Sequence, residues 1–152
     1  MKVMGIDPGF SRTGFGIISP EGVRFGVIKG GRGPKQERMM RICEELERIM
    51  KREKPDAIIL EEFYYGKNAR TLSVLSELKG AIIYLAGKRK IKVYEFPASE
   101  IKKGITGNGN ASKEQVNRMV KELLHIEGNI PDDASDALAS AYFFMVRNDM
   151  GD

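Results

Sequence analysis

Apolar residues form two kinds of pattern along this chain: short continuous runs, and repeats at helical spacing. The runs predict strands over residues 2–7, 13–18, 23–29, 57–60 and 91–96,. The repeats predict helices from about residue 34 to 54, over 68–87, from 113 and from about 132 to 147,. Pro20-Glu21-Gly22 is a hairpin signal between two of the strands,. A β-meander followed by alternating helices and strands predicts an α/β fold with a mixed sheet.

Composition narrows the class of protein. The 152 residues suit one domain spanning 1–152, and 41% hydrophobic with 30% charged residues is typical of a folded globular protein,. We find no apolar run of membrane-spanning length and no signal peptide, and we expect a cytoplasmic protein. Cys43 and His125 are each the sole residue of their type. An internal disulfide and a Cys/His zinc site are thereby excluded, and any metal would have oxygen ligands.

Carboxylates stand where predicted strands end and where the last predicted helix begins. Asp7 follows the first strand and Glu61 follows Ile58-Ile59-Leu60. Asp133 and Asp136 are three residues apart, a spacing that puts both on one helix face. Each has an ordinary explanation, since Asp-Pro-Gly is common in turns and the helix dipole favours acidic residues in a first turn. Together they predict one acidic pocket at the carboxyl edge of the sheet.

Such a pocket needs a counter-charge, because crowded carboxylates repel one another. Mg²⁺ prefers oxygen ligands and leaves positions open for water and phosphate. Two such ions can stabilise the attacking and leaving oxygens of a phosphodiester displacement. The pattern therefore favours metal-assisted hydrolysis. This interpretation requires that Asp7 and Asp136 lie on the same side of the fold and are not held in ion pairs with lysines.

Basic and aromatic residues near these carboxylates suggest a nucleic-acid substrate, in agreement with a net charge of +4,. Lys67 and Arg70 lie just before or at the start of a predicted helix. A cation is unfavourable at this positive end of the helix dipole unless a bound anion compensates for it. The Gly/Asn-rich segment 106–113 either holds a phosphate with its N–H groups and Lys113, or is a flexible loop with a good helix cap. Phe63-Tyr64-Tyr65 either stack on bases or pack in the fold.

The chain resembles the RuvC family of bacterial Holliday junction resolvases over nearly its whole length. The resemblance rests on an ordered set of motifs at matching separations. They are Gly5-Ile6-Asp7-Pro8-Gly9, Thr13-Gly14-Phe15-Gly16, Leu60-Glu61-Glu62-Phe63-Tyr64, Lys67-Asn68-Ala69, Lys79-Gly80-Ala81, Val93-Tyr94-Glu95, Ile105-Thr106-Gly107-Asn108-Gly109 with Ala111 and Lys113, and Asp133-Ala134-Ser135-Asp136-Ala137-Leu138-Ala139.

The resemblance implies an RNase H-like, five-stranded mixed sheet with helices on both faces. It also implies a homodimer that cuts two symmetric strands of a four-way DNA junction with Mg²⁺ or Mn²⁺ in recombination and repair, alongside a branch-migration helicase complex of the RuvA and RuvB type. By motif position, the catalytic and metal-binding carboxylates are Asp7, Glu61, Asp133 and Asp136. Lys102, Lys113 and the aromatic Tyr64 fall on positions that contact DNA.

Three departures from the family pattern are visible, and one of them is Tyr64 in place of the usual Phe. Glu62 stands where the family often has Gln, and Glu77-Leu78-Lys79-Gly80 replaces a Gln-Ala-Arg-Gly pattern. Two other functions remain as alternatives: an RNase H-like nuclease acting on RNA or another branched DNA, and a junction-binding module without catalysis. An actin-like sugar kinase would need two such domains, and this chain is too short for both.

Overall fold

A computed structural model describes residues 1–63 and 68–151, without the side chains of 149–151. The strands are β1 (Val3–Asp7), β2 (Arg12–Ser19), β3 (Gly22–Lys29), β4 (Ala57–Glu61) and β5 (Lys92–Phe96). The helices are α1 (Lys35–Glu53), α2 (Ala69–Lys88), α3 (Ala98–Thr106), α4 (Lys113–Leu123) and α5 (Asp132–Gly151). No helix in the described ranges is long and apolar enough to cross a membrane.

The strands form one mixed sheet in the order β3-β2-β1-β4-β5. The β1–β2 and β2–β3 pairs are antiparallel, whereas β4 runs parallel to both β1 and β5. This arrangement confirms the predicted mixed sheet. In the β1–β4 pair Val3 is opposite Ala57 and Gly5 is opposite Ile59. Continuing that register by two residues places Asp7 beside Glu61.

Side-chain alternation divides the core between the two faces of the sheet. Met4 and Ile6 of β1 point to the face covered by α1 and α2. Val3 points to the other face, which α3, α4 and α5 cover. Asp7 follows the same alternation as Val3 and Gly5, so its side chain lies on the α5 face. The sheet therefore directs the first predicted site residue toward α5.

Small residues let α5 lie close to the sheet. Ala134, Ala137 and Ala141 are fully buried. On the strand side, a Cβ added to Gly5 would lie 1.8 Å from the carbonyl oxygen of Ala137, which is impossible without movement. The close approach brings the first turns of α5 to the end of β1.

The sequence pattern missed helix α3. Its nine residues contain only Ile101 and Ile105 as buried apolar positions, which is too short a repeat to stand out. Pro97 at its N-cap and Gly107, with φ of 83° at its C-cap, are the boundary signals that could have located it,. This helix matters for the functional site because it carries Lys102.

Candidate active site

Three of the four predicted carboxylates line one cavity of about 220 Å³ at the end of the sheet. Asp7 reaches it from the end of β1, Glu61 from the end of β4, and Asp136 from the second turn of α5. Lys102 of α3 and Lys113 of α4 line the same cavity. The remainder of the lining is mostly apolar: Ile6, Ala98, Ile101, Val116, Ala139 and Ser140. Five elements thus contribute charged groups to one partly enclosed space.

Asp133 points differently from Asp136. Its Oδ2 accepts a hydrogen bond of 2.9 Å from Nε of Arg12, at the start of β2. It is absent from the residues that line the cavity. Its charge is nevertheless close enough to contribute to the raised pKa of Asp7. The structure therefore places Asp133 at the rim of the site.

Burial, and after it mutual repulsion, raise the pKa values of the cavity carboxyl groups. Burial, followed by repulsion from Asp136, Asp133 and Glu61, raises the pKa of Asp7 to about 7. Burial and the charge of Asp136 raise the pKa of Glu61, against the opposing effect of Lys102, Lys113 and Lys79. Such perturbed carboxyl groups in a cleft are typical of functional sites.

Asp7 and Asp136 lie on the same side of the fold, as the metal hypothesis requires. Asp136 does have a lysine nearby, since Lys113 Nζ is 3.6 Å from its Oδ2. The two groups form an ion pair, but their side chains are 57% and 38% exposed, and exposed pairs of this kind hold their partners only weakly,. Burial raises the pKa of Asp136 despite the opposing effect of Lys113, so this lysine does not neutralise the cluster.

The site fits a hard divalent ion in its donors and its charge. Every candidate ligand is a carboxylate oxygen, and the repulsion at Asp7 is the kind that a bound cation relieves. Within the described residues, no three acidic, histidine or cysteine side chains are already arranged to hold an ion together. Binding would therefore require the cavity carboxylates to draw closer together.

The loop before α4 provides a helix cap. Ser112 and Gln115 form a capping box, in which each side chain accepts a hydrogen bond from the main-chain N–H of the other residue. Hydrogen bonds within the loop and its flanks occupy further N–H groups, those of Gly107, Asn108, Asn110 and Ala111. This arrangement favours the interpretation of a well-capped loop over that of a phosphate cradle. Lys113, in the first turn of α4, is directed at Asp136 instead.

The remaining residues predicted to contact DNA either lie away from the cavity or fall outside the residues that the structure describes. Arg70 is exposed in the first turn of α2 and does not line the cavity. Tyr64 and Lys67 lie outside the described residues, as does Tyr65. Phe63 is half-buried, and its ring lies 4.4 Å from Nζ of Lys79. Phe63 therefore packs in the fold, in agreement with one of the two interpretations of the aromatic segment.

Sequence reasoning assigned no role to Lys79 or Arg12. Lys79 is only 12% exposed and pairs with Glu95 of β5 at 2.5 Å. It also donates a hydrogen bond of 3.3 Å to the main-chain oxygen of Glu61. A lysine on the inward side of an apolar helix was the available signal for Lys79. For Arg12, the available signal was its position in β2. It is two residues before Gly14 and therefore lies on the same face of the strand.

Comparisons with known proteins agree with this geometry. A family model described as crossover junction endodeoxyribonuclease RuvC matches residues 3–143. Proteins carrying that description from Caldicellulosiruptor saccharolyticus and Petrotoga mobilis are 40% and 36% identical over 149 residues each. The alignments cover 93% of this chain and 90% and 91% of those relatives.

Solved structures show the same similarity. A Thermus thermophilus RuvC structure superposes with a TM-score of 0.87 at 31% identity, covering 99% of this chain and 97% of the other. A second structure, T. thermophilus RuvC in complex with Holliday junction substrate, has a TM-score of 0.88 at 30% identity, with 99% and 96% covered. These matches confirm the RNase H-like fold. From the family match and these relatives together, the chain belongs to the RuvC family of crossover junction endodeoxyribonucleases, which are nuclease enzymes.

Proposed function

We propose that this protein resolves four-way DNA (Holliday) junctions in recombination and repair by divalent-metal-dependent phosphodiester hydrolysis. The observation that carries the proposal is the convergence of Asp7, Glu61 and Asp136 on one cavity flanked by Lys102 and Lys113. A relative of the same fold has been solved with a Holliday junction substrate. We assign Mg²⁺ as the cofactor, with Mn²⁺ as a substitute.

The four carboxylates would hold the metal, with Asp133 joining the three that line the cavity. Divalent ions bound there supply the positive charge that activates water and stabilises the attacking and leaving oxygens. Lys102 and Lys113 stand on the α3 and α4 side of the cavity, where they can bind the phosphate backbone,. We assign DNA contacts to Tyr64, Lys67 and Arg70 by their positions in the family motif.

A homodimer accounts best for paired cuts, and α2 offers a surface for it. Ile83 and Tyr84 are 39% and 65% exposed. Ile83 therefore lies outside the buried core stripe of this helix. A Cβ added to Gly80 or Gly87 would meet nothing within 4 Å, so a second helix could approach closely there. We propose that these residues form the twofold contact. A branch-migration helicase complex as partner and a cytoplasmic location remain predictions from the sequence.

The decisive experiment offers the protein three labelled substrates in Mg²⁺: a synthetic four-way junction, a linear duplex of the same sequence and an RNA–DNA hybrid. We expect paired, symmetric nicks in the junction alone. The Asp7→Asn variant should bind the junction and leave it intact. Preferential cutting of the hybrid would favour a different RNase H-like nuclease. Junction binding without nicks by the unmodified protein would favour a binding module.

Metal binding can be measured without relying on cleavage. Mn²⁺ or Ca²⁺ should raise the melting temperature of the protein, because an ion relieves the repulsion among the buried carboxylates. The same ions should have much less effect on the Asp136→Asn variant. An equal rise in both proteins would place the ion elsewhere and contradict the proposed ligand set.

A further inference from the structure

Arg12 and Lys29 lie side by side at the end of the sheet that carries the acidic cavity. They are direct partners in the antiparallel ladder of β2 and β3. Arg12 contacts Asp133 of α5, so its side chain is on the α5 face. Lys29 follows Ile28, which belongs to the core of the opposite face. Lys29 therefore projects on the α5 face as well, next to Arg12.

Their position relative to the carboxylates follows from the strand order. β3, β2, β1 and β4 are consecutive in the sheet, and neighbouring strands are about 4.8 Å apart. Lys29 on β3 is thus about 10 Å from the strand of Asp7. Lys102 is on α3, which directly follows β5 at the opposite edge of the sheet from β3, and it lines the cavity together with Lys113. The carboxylates are consequently flanked by cations in both directions along the edge of the sheet.

The charges of Arg12 and Lys29 are available to a ligand. The Arg12–Asp133 pair is open to solvent, with side chains 49% and 30% exposed, and exposed pairs of this kind stabilise a fold little. Lys29 is exposed and has no ion-pair or hydrogen-bond partner for its ammonium group in the described part of the chain. Arg12 holds Asp133 through one hydrogen bond, whereas a guanidinium can bind a phosphate through two parallel ones, so a phosphate can replace this carboxylate as its partner,.

We propose that Arg12 and Lys29 form a second phosphate-binding track for the DNA strand that passes through the active site, on the side opposite Lys102 and Lys113. The proposal rests on the function proposed above. In the free protein Arg12 holds Asp133. When DNA binds, Arg12 moves to a phosphate that flanks the scissile one, and Asp133 becomes free to join the other carboxylates. The ligand is the sugar–phosphate backbone, so the track contributes affinity without reading sequence.

The test measures the affinity for a four-way junction as a function of salt, in an Asp7→Asn background with Mg²⁺ present. The substitutions are Arg12→Gln and Lys29→Gln, and Lys51→Gln is the matched control, because Lys51 is an exposed lysine near the C-terminus of α1. Each lost phosphate contact should reduce the slope of log K against log[salt] by about 0.9 and weaken binding roughly fivefold near physiological salt. Arg12→Lys should recover part of the loss.

The outcomes separate this inference from the proposed function. A background protein that binds no junction would contradict the proposed function itself. Junction binding with the same salt slope in Arg12→Gln and Lys29→Gln as in Lys51→Gln would overturn the second track alone. Increased aggregation of Lys29→Gln with unchanged DNA affinity would also overturn it, by showing that Lys29 only protects an edge strand.

Discussion

Gly14 is the direct partner of Asp7 in the ladder of β1 and β2, and the main chain of Asp133 occupies the space beside it. A Cβ added to Gly14 would lie 2.1 Å from the carbonyl oxygen of Asp133. Any side chain at this position would therefore push the first turn of α5 away from the sheet. The absence of a side chain at Gly14 sets the distance between the strand and helix that carry the proposed ligands.

Replacing Gly14 with alanine should damage both stability and cleavage. Overpacking of a tight contact costs about 1–3 kcal/mol, and here the obstacle is main chain, which cannot rotate away. Gly16→Ala is the matched control on the same strand and face, since its Cβ would meet mainly the side chain of Leu138. We expect a smaller loss of unfolding free energy in urea and a smaller loss of junction cleavage for Gly16→Ala. Equal losses would contradict this role of Gly14.

Lys79 should act as a positioning residue for Glu61. It donates a hydrogen bond to the main chain of Glu61, and its charge opposes the rise in the pKa of Glu61. Lys79→Met should slow cleavage about tenfold, equivalent to about 1.4 kcal/mol. The acid limb of the pH–rate profile should move to higher pH, because Glu61 then ionises less readily.

Two variants control for a general effect of altering this lysine. Lys79→Arg keeps the charge and should retain most of the activity and the original pH profile. Lys92→Met removes an exposed lysine at the other end of β5 and should change neither. If Lys79→Met lost activity at every pH by the same factor, the electrostatic part of the role would be wrong.

The folded protein without metal should become less stable as the pH rises. The pKa of Asp7 is raised from 3.8 to about 7, so the folded state binds this proton more tightly than the unfolded state does. The contribution of Asp7 to the free energy of unfolding is therefore fully present below pH 3.8 and is lost as the pH rises to about 7,. Asp7→Asn removes the charge and should melt several degrees higher than the unmodified protein in EDTA at pH 8, since 1 kcal/mol shifts the melting temperature by about 2–4 °C.

The advantage of Asp7→Asn should disappear near pH 4, where Asp7 of the unmodified protein is protonated. Glu44→Gln is the control for removing one exposed carboxylate, and we expect the same melting temperature as the unmodified protein at both pH values. A constant difference between Asp7→Asn and the unmodified protein across the pH range would show that burial and repulsion at Asp7 are not its cause.

Charges on the exposed face of α2 should break the proposed dimer. The unmodified protein should elute with a light-scattering mass of about 34 kDa, twice the 17.0 kDa of one chain. Ile83→Glu with Tyr84→Glu should give the single-chain mass and replace paired junction cuts with single nicks. Met40→Glu changes an exposed apolar residue on α1 and should leave the dimer intact. An unmodified protein of single-chain mass would contradict the dimer directly.

Elements with a clear apolar pattern were predictable from the sequence, and α3, which lacks one, was not. Helix α1 has a long apolar repeat, and β4, although only five residues long, begins with a continuous apolar run. Helix α3 buries only Ile101 and Ile105, so its existence depends on contacts with α4 and α5 rather than on its own periodicity. Lys102 was accordingly named as a site residue without the helix that carries it into the cavity.

The sequence by itself determined the chemical types available: four carboxylates at the ends of predicted elements, lysines near them, and no zinc-binding set. Those features are local, because strand ends, caps and residue identity are encoded within a few positions. Only the tertiary structure decided which groups meet. Asp133 and Arg12 are 121 residues apart along the chain, and Lys79 reaches the end of β4 from α2. Such contacts depend on the distance between helix and sheet, which is set by close approaches between distant parts of the chain, such as that of Gly5 to Ala137.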